Sequence, residues 1–369
     1  MDIEGNIMQI KIGWKNFLKE VAVTKKPIIC FGAGAVSTFI ERMLIEKNIW
    51  DRIICFLDND PLKEGKTVGD FIKKPIITLK AFEKMLIDDF ILLITIESYA
   101  VIEKQFNQFT RWNHISCYEY IKLNYEIQKE IKQPMWLLPK GKPAIIPKVI
   151  HYCWFGKVEK KELHKRCIES WKRHCPDYEI IEWNEDNYDV KKNLYMSQAY
   201  NKKKWAYVSD YARLDILYHY GGIYVDTDVE LFSNFDDLLG SEAFIAHGQW
   251  PAVNSGSGLG AVKGNKIILE MLEDERLVMP FIQKDGTFNM MQNGYYESKV
   301  LRKHGYDEPF IMKNVDGMLV LAPEILATSS VLGEDIFVTE NTVSLHHCAG
   351  SWAKSKTLDE RKETIFRNT

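Results

Sequence analysis

Apolar and polar positions divide the chain into two alternating strand–helix patterns separated by a polar, proline-rich stretch. Residues 12 to 24 alternate apolar and charged positions like a short amphipathic helix. Pro27-Ile28-Ile29-Cys30-Phe31 then reads as a strand, Gly32-Ala33-Gly34-Ala35-Val36-Ser37 as a glycine-rich turn, and Phe39-Ile40 with Met43-Leu44-Ile45 as a helix. A second strand, Arg52 to Leu57, ends at Asp58-Asn59-Asp60-Pro61. Ile76-Ile77-Thr78, a helix through Phe82 to Leu86, a strand from Phe90 to Ile96, a helix from Ser98 to Phe109 and a short strand near Ile115-Ser116-Cys117-Tyr118 complete the first pattern. Such alternation implies a parallel sheet with helices on both faces.

Lys, Gln and Glu dominate from residue 121, and Pro134, Pro139, Gly141, Pro143 and Pro147 then break any regular pattern. A linker fits there. The expected organisation is α/β throughout: residues 1-125 as one domain, 126-145 as linker, 146-369 as a second domain. The second half opens with a strand, Ile146 to Phe155, that ends at Gly156. A helix from Lys161 to His174 leads to the strand Tyr178-Glu179-Ile180-Ile181-Glu182-Trp183-Asn184. A long helix holding Trp205, Val208, Ala212, Leu214, Ile216 and Leu217 stops at Gly221-Gly222, the usual place for a glycine. A short strand then carries Asp226 and Asp228 at its end. Val253-Asn254-Ser255-Gly256-Ser257-Gly258-Leu259-Gly260 reads as a loop before the helix Lys266 to Leu272. Residues 280 to 300, with Gly286, Gly294, Tyr295 and Tyr296, read as an irregular loop able to wall an acceptor cleft.

Composition narrows the class. With 46% hydrophobic and 27% charged residues the chain is globular rather than disordered. A net charge of −3 argues against a nucleic-acid binder, which is normally basic. One basic stretch runs from Lys157 to Arg173. It reads first as a solvated helix face, and in a sharper version as a patch for anionic headgroups or a phosphorylated acceptor. The seven cysteines contain no Cys-x-x-Cys pair, so reduced thiols and a cytoplasmic location are expected. The N-terminal residues make a poor signal peptide, and the longest apolar run, Phe90 to Ile96, is too short to span a bilayer. Peripheral contact with the membrane's inner face remains compatible with this.

Two stretches carry candidate chemistry. In the first half, Gly32 and Gly34 follow a strand and open a helix, and Asp58 ends the next strand 24 residues beyond Gly34. That spacing suits a phosphate on the turn and a ribose on the acid. Ser37 in place of a third glycine leaves the fingerprint partial. This half resembles the small Rossmann-like domains joined to enzymes of bacterial surface-polysaccharide synthesis. In the second half, Asp226 and Asp228 lie two apart, so in extended backbone both carboxylates project to one side. Their repulsion calls for a positive partner, and hard oxygen ligands suit Mg²⁺ or Mn²⁺ completed by a diphosphate. Asp210 and Arg213 are i and i+3 on one helix, either a surface ion pair or a carboxylate and guanidinium aimed at a sugar and its phosphate. Trp154 stands at a strand end, where a nucleobase could stack or the ring could pack in the core. Asn184, Tyr224 and Asn254 join it as candidate donor contacts.

Four ordered segments then carry a resemblance: Ile-Pro-Lys-x-Ile-His-x-x-Trp at 146 to 154, Ser209-Asp210-x-x-Arg213, Gly221-Gly222-Ile223-Tyr224-x-Asp226-x-Asp228, and Leu345-His346-His347-Cys348-Ala349-Gly350-Ser351-Trp352. Together they resemble glycosyltransferase family 32, over roughly residues 146 to 353. The resemblance implies a GT-A fold, a nucleotide-diphosphate sugar donor (UDP- or GDP-linked), a divalent cation, a glycan or lipid-linked acceptor and retention of configuration. It implies that Trp154 stacks on the base, and that Asp210 and Arg213 contact the sugar and diphosphate. Asp226 would touch the ribose and, through water, the metal, which Asp228 would ligate directly. His347 and Ser351 would complete the metal shell, with His346 an open alternative, and Trp352 would close over the leaving diphosphate.

The expected activity is therefore a metal-dependent hexosyltransferase of capsule or surface-glycan synthesis. The alternatives are an NAD(P)-dependent nucleotide-sugar enzyme built on Gly32, Gly34 and Asp58, and a non-catalytic nucleotide-sugar sensor. No Tyr-x-x-x-Lys pair stands beside the glycine motif, which weighs against the first.

Overall fold

A computed structural model describes residues 10–349 except positions 12, 70–71, 97–98, 249–251, 291–292, 307–309 and 330–337. The chain divides into two compact units, Met1–Ile131 and Lys132–Lys362. Among the described residues the architecture is mixed α/β with three sheets.

In the first unit the strands lie in the order Ile10–Lys11, Ser116–Glu119, Ile91–Ile94, Ile28–Phe31, Ile53–Leu57, Lys74–Ile77, Thr67–Val68. All neighbours pair in parallel except the last two. Ile28–Phe31 and Ile91–Ile94 are buried at every position, the pattern expected of parallel strands covered on both faces. The order reverses beside Ile28–Phe31, so Gly32 and Gly34 lie at the carboxyl end of a strand next to a switch point. Two edge strands, Ile10–Lys11 and Thr67–Val68, are too short to leave a periodic signal. The stretch expected as linker from residue 126 is helical as far as Glu130 and makes a 3₁₀ turn at Met135–Leu137.

The second unit holds a mixed sheet ordered Lys313–Val315, Met318–Val320, Ala243–Ile245, Leu259–Ala261, Gly222–Tyr224, Val149–Cys153, Glu179–Trp183. Val149–Cys153 pairs in parallel with both of its neighbours, whereas Leu259–Ala261 runs antiparallel to both of its own. A smaller sheet places Ser344–His346 between Val229–Leu231 and Leu326–Thr328. The chain passes from the large sheet to the small one through residues 225–228, so Asp226 and Asp228 occupy the crossing. Helix Trp205–Tyr220 packs Val208, Ala212, Ile216 and Leu217 into the core, and it also buries Asp210 and Arg213.

Gly222 sustains the approach to that crossing. Its φ of 99° is left-handed, and a Cβ there would come 2.9 Å from His151 Nε2. His151 is buried between two partners: its Nδ1 accepts from the Trp183 indole N–H at 3.1 Å, so Nε2 carries the hydrogen and donates to Gly221 O at 2.9 Å. Burial lowers this imidazole to about 4, against the hydrogen bond to Gly221, and burial lowers His247 to about 4 as well. Between the ordinary value and about 4 the unfolded chain binds protons that the folded chain does not, so stability rises with pH across that window. Urea melts at pH 7 and pH 4.5 should show stability lost on acidification, each imidazole contributing up to about 3 kcal/mol, with a shallower dependence in His151→Gln. An equal pH dependence in the variant would contradict the neutral assignment.

Candidate functional site

The Gly222–Tyr224 strand ends in a turn closed by Val229 N–H donating to Asp226 O at 3.1 Å, and Asp226 N–H donates to Gly256 O at 2.9 Å. Both aspartates thus hang from fixed backbone. Asp226 Oδ1 accepts from the Tyr224 hydroxyl at 3.0 Å and from Arg213 Nη2 at 3.2 Å. Burial pushes its carboxyl up by more than the Arg213 guanidinium pulls it down. Gly256 sits against its other oxygen: a Cβ there would lie 2.3 Å from Asp226 Oδ2.

Asp228 faces strand Ser344–His346. His346 Nε2 lies 3.2 Å from Asp228 Oδ1, and Ala349 N–H donates to Oδ2 at 2.7 Å. Burial alone would raise the Asp228 carboxyl, but the His346 charge, its hydrogen bond and the Ala349 amide together hold it well below the usual carboxylate range. His346 Nδ1 meets Ser257 Oγ at 2.8 Å, and Ser257 Oγ is 3.2 Å from Thr328 Oγ1. Asp226, Asp228 and His346 offer ligand atoms that all lie within 4.8 Å of one another.

His347, the expected ligand, is turned elsewhere. Its Nε2 meets Glu230 Oε2 at 2.8 Å, with Arg166 beside both, while only its backbone N–H reaches Asp228 O, at 2.9 Å. The reason is strand alternation: Val229–Leu231 pairs antiparallel with Ser344–His346, and successive side chains on the latter point to opposite faces. Of the two histidines left open, His346 is the one whose ring meets Asp228, and the His347 ring meets Glu230. Ser351 and Trp352 lie outside the described residues.

Asp210 and Arg213 meet each other at 3.4 Å, and Arg213 is only 3% exposed. Its Nε donates to Ser209 O at 3.2 Å, Nη1 to Ser255 Oγ at 3.0 Å and Nη2 to Asp226, and its carbon sits 4.8 Å from the Tyr224 ring centre. The guanidinium is therefore largely engaged in holding Asp226 and the 254–257 loop. Asn254 Oδ1 accepts the Gly256 N–H at 3.0 Å, so its carbonyl serves the loop's own turn. Residues 293–303 form a helix, Asn293–Lys303, where an irregular loop was expected. Its Val300 and Leu301 join the core and its Glu297 is buried. Sequence reasoning missed Glu297, Asn293, Ser255 and Ser257, and left His346 as an open alternative. The spacing Glu297, Val300, Leu301 carried the helical signal.

The remaining candidates are placed as follows. Trp154 is half-buried, donates its indole N–H to Val158 O at 2.7 Å, meets His164 edge-on and has Lys160 Nζ 5.1 Å from its ring centre. Asn184 Oδ1 accepts Asp186 N–H at 2.9 Å and its amide reaches Glu182. Tyr224 is buried against Asp226. In the first unit Asp58 Oδ2 accepts from Ala33 N–H at 2.9 Å and pairs with Lys63 at 2.7 Å. The acid thus occupies an amide of the turn between Gly32 and Gly34. The basic stretch is largely answered by acids: Lys157 by Asp186, Lys160 by Glu182, Lys165 by Glu159 and Glu162, Arg166 by Glu230, and Lys172 by Glu169. That favours the solvated-face reading. No helix among the described residues is long and apolar enough to cross a membrane.

Residues 161–245 match the family model described as "Glycosyltransferase sugar-binding region containing DXD motif". The similarity is to glycosyltransferases. The matched span contains Asp210, Arg213, Asp226 and Asp228. Among curated proteins, inositol phosphoceramide mannosyltransferase 3 of Schizosaccharomyces pombe is 31% identical over 142 residues, 36% of this chain and 37% of that protein. The mannosyl phosphorylinositol ceramide synthase SUR1 of Saccharomyces cerevisiae is 28% identical over 193 residues, 42% of this chain and 49% of that protein. The chain thus spans less than half the length of these relatives. Among solved structures, the PaToxG glycosyltransferase is 22% identical over 56% of this chain and 78% of that one, with a TM-score of 0.34, too low to carry an argument.

Gly256→Ala should displace the Asp226 carboxylate and weaken Mn²⁺ binding about tenfold, read by electron paramagnetic resonance of free Mn²⁺. Wild-type affinity in a folded variant would count against Asp226 as a candidate cation ligand.

Proposed function

We propose that this chain is a metal-dependent, retaining glycosyltransferase moving a hexose from a nucleotide-diphosphate sugar to a lipid-linked saccharide or polar lipid headgroup. The observation that carries this reading is the convergence of Asp226, Asp228 and His346 on a turn inside the matched DXD region. The donor set fits a hard divalent cation. Asp210, Asp226 and Glu297 share one permanent cation, Arg213, and Asp228 adds a fourth carboxylate beside Asp226, with His346 able to add a second positive charge, so the cluster carries an excess of negative charge that a divalent ion would offset. The two carboxylates suit Mn²⁺ or Mg²⁺, with diphosphate oxygens for the remaining positions, and a His346 that gives up its proton would add a nitrogen better suited to Mn²⁺ than to Mg²⁺.

The bound cation would supply charge for the departing diphosphate, the difficult part of glycosyl transfer. The chain's own residues do the positioning. Arg213 and Tyr224 fix Asp226, Ala349 and His346 orient Asp228, and half-buried Trp154, with Lys160 over its ring, is the candidate for stacking on the donor's base. The sequence holds no dedicated nucleophile at a diagnostic spacing, and the route that fits this is a front-face one in which the leaving phosphate oxygen would take the acceptor's proton. The curated relatives are named for mannose and inositol phosphoceramide, which supports mannose as the first hexose to test and a phosphoinositol-type headgroup as the first acceptor, ahead of capsule glycan. The first unit, in a Rossmann-like arrangement, serves acceptor delivery, regulation or assembly rather than hydride chemistry, because Asp58 is tied into its own glycine turn. A cytoplasmic location with peripheral membrane contact suits a lipid-linked acceptor.

The test is a panel of UDP- and GDP-sugars assayed for Mn²⁺-dependent hydrolysis and transfer. One donor should turn over, with a loss of at least about 100-fold in Asp228→Ala and on chelation. No turnover of any donor, with Asp228→Ala binding nucleotide as wild type does, would overturn the reading.

A further inference from the structure

Beyond its charge, Glu297 has no role in the chemistry above, yet it is 4% exposed and lies behind the site. Its carboxylate accepts the Ser255 hydroxyl hydrogen at 2.5 Å on Oε1 and the Ser255 N–H at 3.3 Å on Oε2, and Asn293 Nδ2 lies 3.5 Å from Oε1. Burying a carboxylate is costly, so a buried one stays only where its partners compensate. Here the partners lead somewhere. A serine hydroxyl has one hydrogen and two lone pairs. Ser255 gives its hydrogen to Glu297, which leaves both lone pairs as acceptors, and both are used: by Arg213 Nη1 at 3.0 Å and by Asn293 Nδ2 at 2.9 Å. The direction of the Ser255 O–H bond is therefore set by Glu297, and that direction turns a lone pair toward Arg213. Arg213 is planar, so fixing Nη1 also fixes Nη2, which donates to Asp226.

We infer that Glu297 is a positioning residue of the ion site, acting on Asp226 through Ser255 and Arg213. The inference rests on the metal-site reading above and adds a residue to it. Without the Glu297 acceptor the Ser255 hydroxyl is free to rotate, its hydrogen competes with the Arg213 N–H, and Asp226 loses a fixed orientation. The close packing of Gly294 against the backbone of Val253, where a Cβ would come 2.2 Å from the carbonyl oxygen, holds helix Asn293–Lys303 near enough for this chain of contacts.

Mn²⁺ affinity of the full chain, measured by electron paramagnetic resonance with UDP and separately with GDP, tests this alongside the thermal unfolding midpoint. Glu297→Ala and Ser255→Ala should each weaken Mn²⁺ binding about tenfold, as removal of an outer-shell partner does, and the double variant no further. Glu297→Gln, which keeps an acceptor oxygen for Ser255, should stay within about twofold of wild type. Lowered midpoints with wild-type Mn²⁺ affinity in Ser255→Ala and Glu297→Ala would reduce Glu297 to a folding role and overturn the inference. Additive losses in the double variant would overturn the route through Ser255. Unchanged Mn²⁺ binding in Asp228→Ala is a different result and would count against the ion site itself.

Discussion

Too many carboxylates around one buried guanidinium is the constraint on which the second unit depends. Arg213 is held inside helix Trp205–Tyr220 by the core packing of Val208, Ala212, Ile216 and Leu217, and it cannot move out to water. Asp210 and Asp226 pair with it directly and Glu297 reaches it through Ser255. Burial raises the Asp226 and Glu297 carboxyls, so the arrangement is incomplete in charge although it is nearly complete in hydrogen bonds. Buried charge without a counter-ion is what a protein normally avoids. A site that carries it has use for a cation brought in with the ligand.

The fold supplies the geometry for this. The Gly222–Tyr224 strand belongs to the large sheet and Val229–Leu231 to the small one, and residues between them must turn. Asp226 faces the large-sheet side, where Tyr224, Arg213 and Gly256 meet it. Asp228 faces the small-sheet side, where His346 and the Ala349 amide meet it. A ligand set assembled from two sheets and a loop is rigid without any one element being long.

Long apolar runs and ordered motifs were the legible part of the sequence. Ile28–Phe31, Ile53–Leu57 and Ile91–Ile94 announce themselves by continuous apolar residues, and the Gly-Gly-x-Tyr-x-Asp-x-Asp pattern locates the acidic turn because glycine conformation and strand alternation are local. Partners brought by long-range register were not legible. That the His346 ring rather than that of His347 meets Asp228 follows from the pairing of Val229 with His346, which local periodicity does not reveal. Glu297 escaped for a related reason: a charged residue on a helix reads as solvent-facing, and only Ser255 and Arg213, 42 and 84 residues distant in sequence, explain its burial. The basic helix shows the reverse case, where abundant Lys and Arg suggested a binding patch and nearby acids neutralise most of it.

The most direct measurement is an anomalous difference map, at the manganese edge, from crystals grown with Mn²⁺ and a nucleoside diphosphate. A single peak bounded by Asp226, Asp228 and His346, with His347 still on Glu230, is the result that this account predicts. A peak held by His347 and Glu230, or none near the aspartates, would contradict it.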